Sequence, residues 1–351
     1  MRALVVGCGS IGERHIANLR SLTRDQIAVC DVDERKLEYV RKKHGIDTYV
    51  SLDEALSKGQ DCVLVCTPTN SHIAIATRAL RANCHVFVEK PLSDRMDGID
   101  ELLGLANAKK KTVSVGFNMR FDKSLRKMKE WLDAKRIGNI VTAGVHFGYS
   151  FLRRKVDSDY RQDYAGQVSM GGGVILDAIH EIDYLIWLVG DVEELFCYSG
   201  RLSGLHMDVE DTAEMLLKFR NGAIGSIHLD FVQLPYCRCA RIVGREGTIE
   251  WNFGTIERDF DDSVASLYDG ERGQWETYRG NVGRNAMYLE EMRHLIACVE
   301  GKEKPAVDGE LGKKVLEVAL AAKESSREAR IVRIGETCKD SGFWRNSPAS
   351  L

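Results

Sequence analysis

The apolar runs in the first 118 residues are short and nearly unbroken. RALVVG (2–7), QIAVCD (26–31), DCVLVCT (61–67), CHVFVEK (84–90) and TVSVGF (112–117) read as strands, with TYV (48–50) a short sixth. A half-exposed strand alternates apolar with polar positions. These runs do not alternate, so both of their faces are covered. Between them lie IGERHIANLRSL, ERKLEYVRKKHG and SHIAIATRALRAN, whose apolar residues recur at helical spacing. Strand and helix in alternation predict a parallel, doubly wound sheet.

Beyond residue 118 the texture changes. Helical SLRKMKEWLDAKRIG leads to a strand, NIVTAGVHFGYSF (139–151), and then to a polar, basic and aromatic loop, RRKVDSDYRQDYAGQVSM. The glycine-led helix GGGVILDAIHEIDYL (171–185) follows. TAEMLLKF, IGSIHLDFVQ and CRCARIVGREGTIEWNF then read as strands, punctuated by Asn221-Gly222 and Glu246-Gly247, pairs that favour hairpin turns. A largely antiparallel sheet with a few helices is expected, closed by the helix LGKKVLEVALAAKESSREA (311–329). The expected division is 1–120, 121–335 and a loose tail, 336–351. No low-complexity linker separates the first two parts, so they should pack closely.

The first chemistry appears where the first strand meets the first helix. Gly7, Cys8, Gly9, Ser10, Ile11 and Gly12 form GxGxxG. Gly7 allows the tight turn, Gly9 lets the backbone approach a pyrophosphate, and Gly12 lets helix and strand pack closely. The helix N-terminus then faces the anion. Asp31 ends the second strand nineteen residues after Gly12, where a carboxylate can bind a ribose 2′-hydroxyl. Strand, glycine loop, helix and acidic strand end together predict a Rossmann domain. Asp31 would repel a 2′-phosphate, so NAD is expected, with NADP as the alternative. Arg35, one turn into the next helix, reads as a solvated side chain.

Composition narrows the partners. With 49 Lys and Arg against 52 Asp and Glu, the net charge is −3, and no basic stripe points to nucleic acid. No apolar run reaches the ~18 residues of a membrane span. Several of the 10 cysteines sit inside apolar runs, as small buried hydrophobes do. Reduced thiols and a cytoplasmic location are expected. Cys237 and Cys239 point to one face of a strand, but no second pair or histidine cluster completes a zinc site, so no metal is expected.

Glu89-Lys90-Pro91 follows the VFV strand, and ligands of open α/β sheets sit beyond the carboxyl ends of the strands. The chain thus carries, in order, GCGSIGERH, CTPTNSH, VEKPL, GFNMRF and GGGVILDAIHEID. In that order, over about residues 1–330, the chain resembles the glucose–fructose oxidoreductase / inositol dehydrogenase / rhizopine catabolism (Gfo/Idh/MocA) family. The resemblance implies a Rossmann domain followed by a C-terminal α/β domain with a large, open, mainly antiparallel sheet. It implies NAD(P)-dependent oxidation or reduction of a sugar, sugar nucleotide or cyclitol, and a homodimer or homotetramer assembled through the outer faces of the C-terminal sheets. Lys90 matches the family's EKP lysine and His180 its motif histidine. Thr67, Pro68, Asn70 and His72 match the loop near the nicotinamide ribose, and Glu89 and Asn118 match cofactor-side positions. Many members carry an aspartate four residues before the histidine; here Asp177 precedes His180 by three.

At 100° per residue, Asp177, His180 and Tyr184 share a narrow polar face of this helix. Ile175, Ile179, Ile182, Ile186 and Val189 would form the buried stripe. The glycine triplet would let the helix start pack against a flat ligand. Alcohol oxidation removes a hydride from carbon and a proton from oxygen; nicotinamide takes the first, and a neutral imidazole can take the second. The expected roles are His180 as base, Lys90 as the group that holds the oxygen, and Asp177 as orienter. Lys90 as proton acceptor is the alternative. Tyr149, Tyr160, Arg161, Tyr164, Arg238 and Tyr288 are expected on the substrate side, with His146 and Tyr236 as further candidates. Two other readings stay open: a nucleotide-sensing regulator without turnover, and a sugar enzyme in which tightly held NAD cycles within one turnover.

Overall fold

The computed structural model describes residues 1–23, 26–154, 161, 163–255, 258–280 and 283–335. The expected tail, 336–351, lies outside them. Six strands form the first sheet: β1 (Ala3–Val6), β2 (Ile27–Cys30), β3 (Asp47–Tyr49), β4 (Cys62–Val65), β5 (His85–Glu89) and β6 (Val113–Gly116). Their order is β3-β2-β1-β4-β5-β6 and every pairing is parallel. Helices α1 (Ser10–Leu22), α2 (Glu34–His44), α3 (Leu52–Ser57), α4 (His72–Arg81) and α5 (Ile99–Lys109) make the crossovers. The strand order reverses between β1 and β4, which opens a crevice at their carboxyl ends.

The unbroken apolar runs acquire their reason here. Alternate residues of one strand enter different cores. Val5, Val29 and Leu64 pack with Ile16 and Leu19 of α1, whereas Leu4, Val63 and Val86 pack with Leu80 and Leu102 of α4 and α5. Burying both faces removes any polar alternation.

The chain then passes through α6 (Lys123–Asp133), β7 (Ile140–Gly148), α7 (Phe151–Arg154), α8 (Val174–Asp177) and α9 (His180–Val189). Strands β8 (Val192–Gly200), β9 (Thr212–Phe219), β10 (Ile224–Asp230), β11 (Cys237–Gly244), β12 (Gly247–Thr255), β13 (Arg258–Asp269) and β14 (Gln274–Arg279) follow. Helices α10 (Gly283–Val299) and α11 (Gly309–Glu328) precede the short β15 (Val332–Arg333). The second sheet has nine strands in the order β14-β13-β12-β11-β7-β10-β9-β8-β15, antiparallel except for the β7–β10 pair. The Asn221-Gly222 and Glu246-Gly247 signals mark the β9–β10 and β11–β12 hairpins. One face of this sheet is packed by α6, α9 and α11. On β9, Ala213, Met215 and Leu217 point into that packing, while Glu214, Leu216 and Lys218 face out. The helix α10 returns to the first half, where Met292 and Leu295 join the core beside α1. No helix among the described residues is long and apolar enough to cross a membrane.

Candidate active site

The first cradle lies at the crevice. A Cβ on Gly12 would overlap the Gly7 carbonyl oxygen, so α1 starts this close to β1 only because residue 12 has no side chain. Gly9 caps α1 without a side-chain hydrogen bond, and nothing stands within 4 Å of where its Cβ would be. The first N–H groups of α1 therefore open onto a groove of about 430 Å³, lined by Cys8, Gly9, Ser10, Glu13, Asp33, Arg35, Lys36 and Tyr39. Asp31 ties this loop to β2: its carboxylate accepts from the Cys8 N–H at 2.6 Å and the Asp33 N–H at 2.9 Å. Arg35 is 92% exposed and paired with Asp33 at 3.2 Å. The open helix end and the missing Cβ atoms fit the pyrophosphate of a dinucleotide.

The ends of β4 and β5 form the floor. His72 bridges them, its Nδ1 2.8 Å from the Pro91 carbonyl and its Nε2 2.9 Å from the Thr67 carbonyl. Thr67 Oγ1 accepts from the Ser71 hydroxyl at 2.7 Å, next to Pro68. Asn70 donates to the Ser169 carbonyl at 2.8 Å, linking this loop to the approach to α8. Asn118 is buried in the turn after β6. Glu89 turns beneath the site, with Oε1 2.5 Å from His15 Nε2. Glu291 of α10 lies beside it with both carboxyl oxygens buried and unpaired among the described residues. Burial, then the Glu89 charge, pushes the Glu291 carboxyl well above its usual range.

Lys90 follows β5 directly, and its peptide bond to Pro91 is cis. Its ammonium donates to the Asp177 backbone carbonyl at 2.6 Å and lies 3.5 Å from Asp177 Oδ1. Asp177 Oδ1 also accepts from the Tyr164 hydroxyl at 2.9 Å, and Oδ2 from Tyr149 at 3.1 Å. Three donors from three segments thus fix one carboxylate. His180 packs edge-on against Phe117, ring centroids 5.7 Å apart, and its buried Nδ1 has no partner among the described residues. Burial first, then the Lys90 and Arg238 charges, holds this imidazole well below its ordinary pKa, with Asp177 opposing. The ring is neutral near pH 7 and can accept a proton.

The helix geometry differs from expectation. The chain breaks at Ala178–Ile179, so Asp177 closes α8 and His180 opens α9. A single helical projection therefore does not describe the Asp177–His180 relation. The isoleucine stripe is buried as expected, but so is the opposite face. Tyr184 is fully buried against Trp251, ring centroids 5.6 Å apart, and does not share an open face with Asp177 and His180. Glu181 accepts from Arg238 Nε at 2.7 Å, and Asp183 accepts from Arg120 Nε and Nη2 at 2.8 Å each. The sequence reading missed the Glu181 and Asp183 pairings, as well as His15 and Glu291. Two acids in an otherwise apolar helix signal buried cationic partners, but only the fold says which arginines they are.

The glycine triplet also serves a different purpose. A Cβ on Gly172 would press on the Tyr164 and Ala165 carbonyls at 2.5 and 2.6 Å, and one on Gly173 (φ +108°) would meet the Glu210 carboxylate. The close approach is to the protein's own loop, where the expectation was a flat ligand.

Arg238 lies over the Phe147 ring at 4.4 Å, in the inward layer with Glu181. Arg161 is exposed, and its carbonyl accepts from Gln167 at 3.1 Å. Tyr288 packs on α1, with Arg14 4.5 Å above its ring. Tyr160 lies outside the described residues. His146 is turned to the outer face of the second sheet, because Val145 and Phe147 take the inward positions on β7.

A parallel sheet with an open glycine cradle, and an ammonium held by a carboxylate beyond its strand ends, defines a class: NAD-dependent dehydrogenases acting on CH–OH groups. Residues 1–117 match the oxidoreductase family with an NAD-binding Rossmann fold, and residues 125–250 match the GFO/IDH/MocA C-terminal domain. The chain belongs to the GFO/IDH/MocA oxidoreductase family. It is 33% identical to the myo-inositol 2-dehydrogenase of Thermotoga maritima, over 96% of this chain and 99% of that protein. It is 27% identical to the scyllo-inositol 2-dehydrogenase (NAD(+)) of Bacillus subtilis, over 95% and 96%. The solved WlbA dehydrogenase from Chromobacterium violaceum, in complex with NADH and UDP-GlcNAcA, superposes with a TM-score of 0.81 at 26% identity, covering 95% of each chain.

Proposed function

We propose that this chain oxidises a secondary hydroxyl of a cyclitol or free sugar, with His180 as the base. The observation that carries this reading is the His180 ring, kept neutral by burial beside the Lys90 ammonium and the Asp177 carboxylate. With Nδ1 buried, Nε2 is the nitrogen that can reach a substrate. It takes the hydroxyl proton as the carbon–hydrogen bond breaks. Bound NAD supplies the hydride acceptor. Lys90 holds the reacting oxygen and stabilises the charge that develops on it. Asp177 is a positioning residue: it anchors Lys90, and Tyr149 and Tyr164 anchor it in turn. Asp31 supports NAD over NADP.

A cyclitol is favoured by the full-length match to the inositol dehydrogenase; the WlbA complex makes nucleotide-linked sugars the second class to test. A homodimer or homotetramer through the outer face of the second sheet is supported by exposed Tyr198, Leu216 and Ile224 on neighbouring strands. A cytoplasmic location is supported by the nine described cysteines, all free. The function is tested by nicotinamide absorbance across inositols, free sugars and nucleotide sugars with NAD and with NADP. Turnover on an inositol or free sugar is expected. NAD binding without turnover on any polyol would overturn the reading and favour a sensor.

A further inference from the structure

The outer face of the second sheet carries a cluster that hydride transfer does not use. Parallel pairing sets His228 of β10 opposite His146 of β7, and antiparallel pairing sets Cys239 of β11 opposite the same His146. Glu214 of β9 lies opposite His228 on its other side. Side chains alternate along a strand, so Asp230 and Cys237 fall on this face one step further along. Four neighbouring strands thus gather two imidazoles, two thiols and two carboxylates from distant parts of the sequence.

The spacing suits a small cation. The His146 and His228 rings stack with centroids 4.2 Å apart. One nitrogen of each, with a carboxylate oxygen of Asp230, lies within a 4.8 Å span. Tetrahedral zinc, with bonds of ~2.0–2.3 Å, needs ligand atoms about 3–4 Å apart, which modest side-chain rotation provides. The Cys237 sulfur is 3.9 Å from that of Cys239. His228 Nδ1 is 2.5 Å from Glu214 Oε1, while its Nε2 faces Asp230 Oδ2 at 2.8 Å. A carboxylate behind a ligating imidazole fixes its tautomer and strengthens it as a donor. Gln233 Oε1, 2.6 Å from His146 Nε2, is the contact that His146 exchanges for the ion. A charge pair alone would explain His228 between two carboxylates. It gives no reason for a second imidazole stacked on the first, or for two thiols beside them.

We propose that His146, His228 and Asp230 bind one zinc ion on the outer face of the second sheet, with Cys237 turning in from the next strand as the fourth ligand and Glu214 supporting His228 from behind. Four protein ligands close the coordination sphere, so the site is structural, and it stands independently of the dehydrogenase reading. Binding displaces the Cys237 thiol proton and any proton on His228, so affinity falls as pH falls.

The test uses the full chain, stripped with a chelator and titrated with Zn²⁺ by calorimetry and with Co²⁺ by absorbance. One ion per chain is expected, with a rise in Tm and a thiolate-to-cobalt charge-transfer band. Cys237→Ser should remove that band, Glu214→Gln should weaken zinc about 10–100-fold, and the double variant His146→Ala/His228→Ala should weaken it further. Turnover and the Tm of the metal-free double variant serve as the folding control. Absence of stoichiometric uptake, or uptake undiminished in the double variant, would overturn the proposal.

Discussion

At the residue scale, the proposed proton transfer rests on one imidazole. A base whose folded pKa is depressed stays neutral as the pH falls. The acid limb of kcat/KM should therefore lie below the ordinary imidazole value of 6.5, and His180→Ala should abolish that limb. The same depression has a stability consequence. Below about 6.5 the unfolded chain's imidazole takes up a proton that folded His180 refuses, so this residue's contribution to stability declines as the pH falls through that value. Asp177 acts through Lys90, so Asp177→Asn should lower kcat more than it raises KM and leave the NAD Kd unchanged; steady-state kinetics with NAD titration read the split. The positions of Lys90 and His180 in the candidate site were legible in the sequence, because their motifs sit at a strand end and in a glycine-led helix. The two tyrosines on Asp177 were named as candidates, but their contact with that carboxylate was not legible, since it joins the end of β7, the polar loop and α8.

At the element scale, the lesson lies in α8 and α9. The polar residues of an amphipathic helix normally face water. Here the helix is buried all round, and Glu181 and Asp183 are matched by Arg238 and Arg120 from other elements. The spacing could not reveal this, because the pairing depends on the turn after β6 and on β11. Removing one partner strands a buried charge. Arg120→Ala should cost about 3–5 kcal/mol in denaturant unfolding, and replacing Arg120 and Asp183 together with apolar residues should recover much of that loss. Gly173 has φ +108° and touches Glu210, so Gly173→Ala should destabilise by more than ~1 kcal/mol. The parallel strands, by contrast, were legible within a residue or two, since a strand buried on both faces leaves an unbroken apolar run. Strands β8, β13, β14 and β15 were not named from the sequence; β14 is largely exposed and carries little apolar signal.

At the scale of the whole molecule, the parallel half places the glycine cradle, and the antiparallel half brings α9 to the end of β5. Cofactor choice belongs to this scale because Asp31 and the α1 terminus act together. NAD should be preferred, and Asp31→Ala should shift the NAD-to-NADP ratio of kcat/KM toward NADP by about tenfold, ~1.4 kcal/mol. Light scattering should show a dimer or tetramer, and charged substitutions at Leu216 and Ile224 should dissociate it. The order of the motifs made the fold class legible, but not the outer-face cluster of His146, His228 and Cys237, because strand order in the second sheet is not sequence order. The most direct measurement is kcat of His180→Ala, with NAD, on the polyol that the unaltered protein oxidises. A loss of about 10²–10⁴-fold with unchanged NAD affinity is predicted; near-normal turnover would contradict His180 as the base.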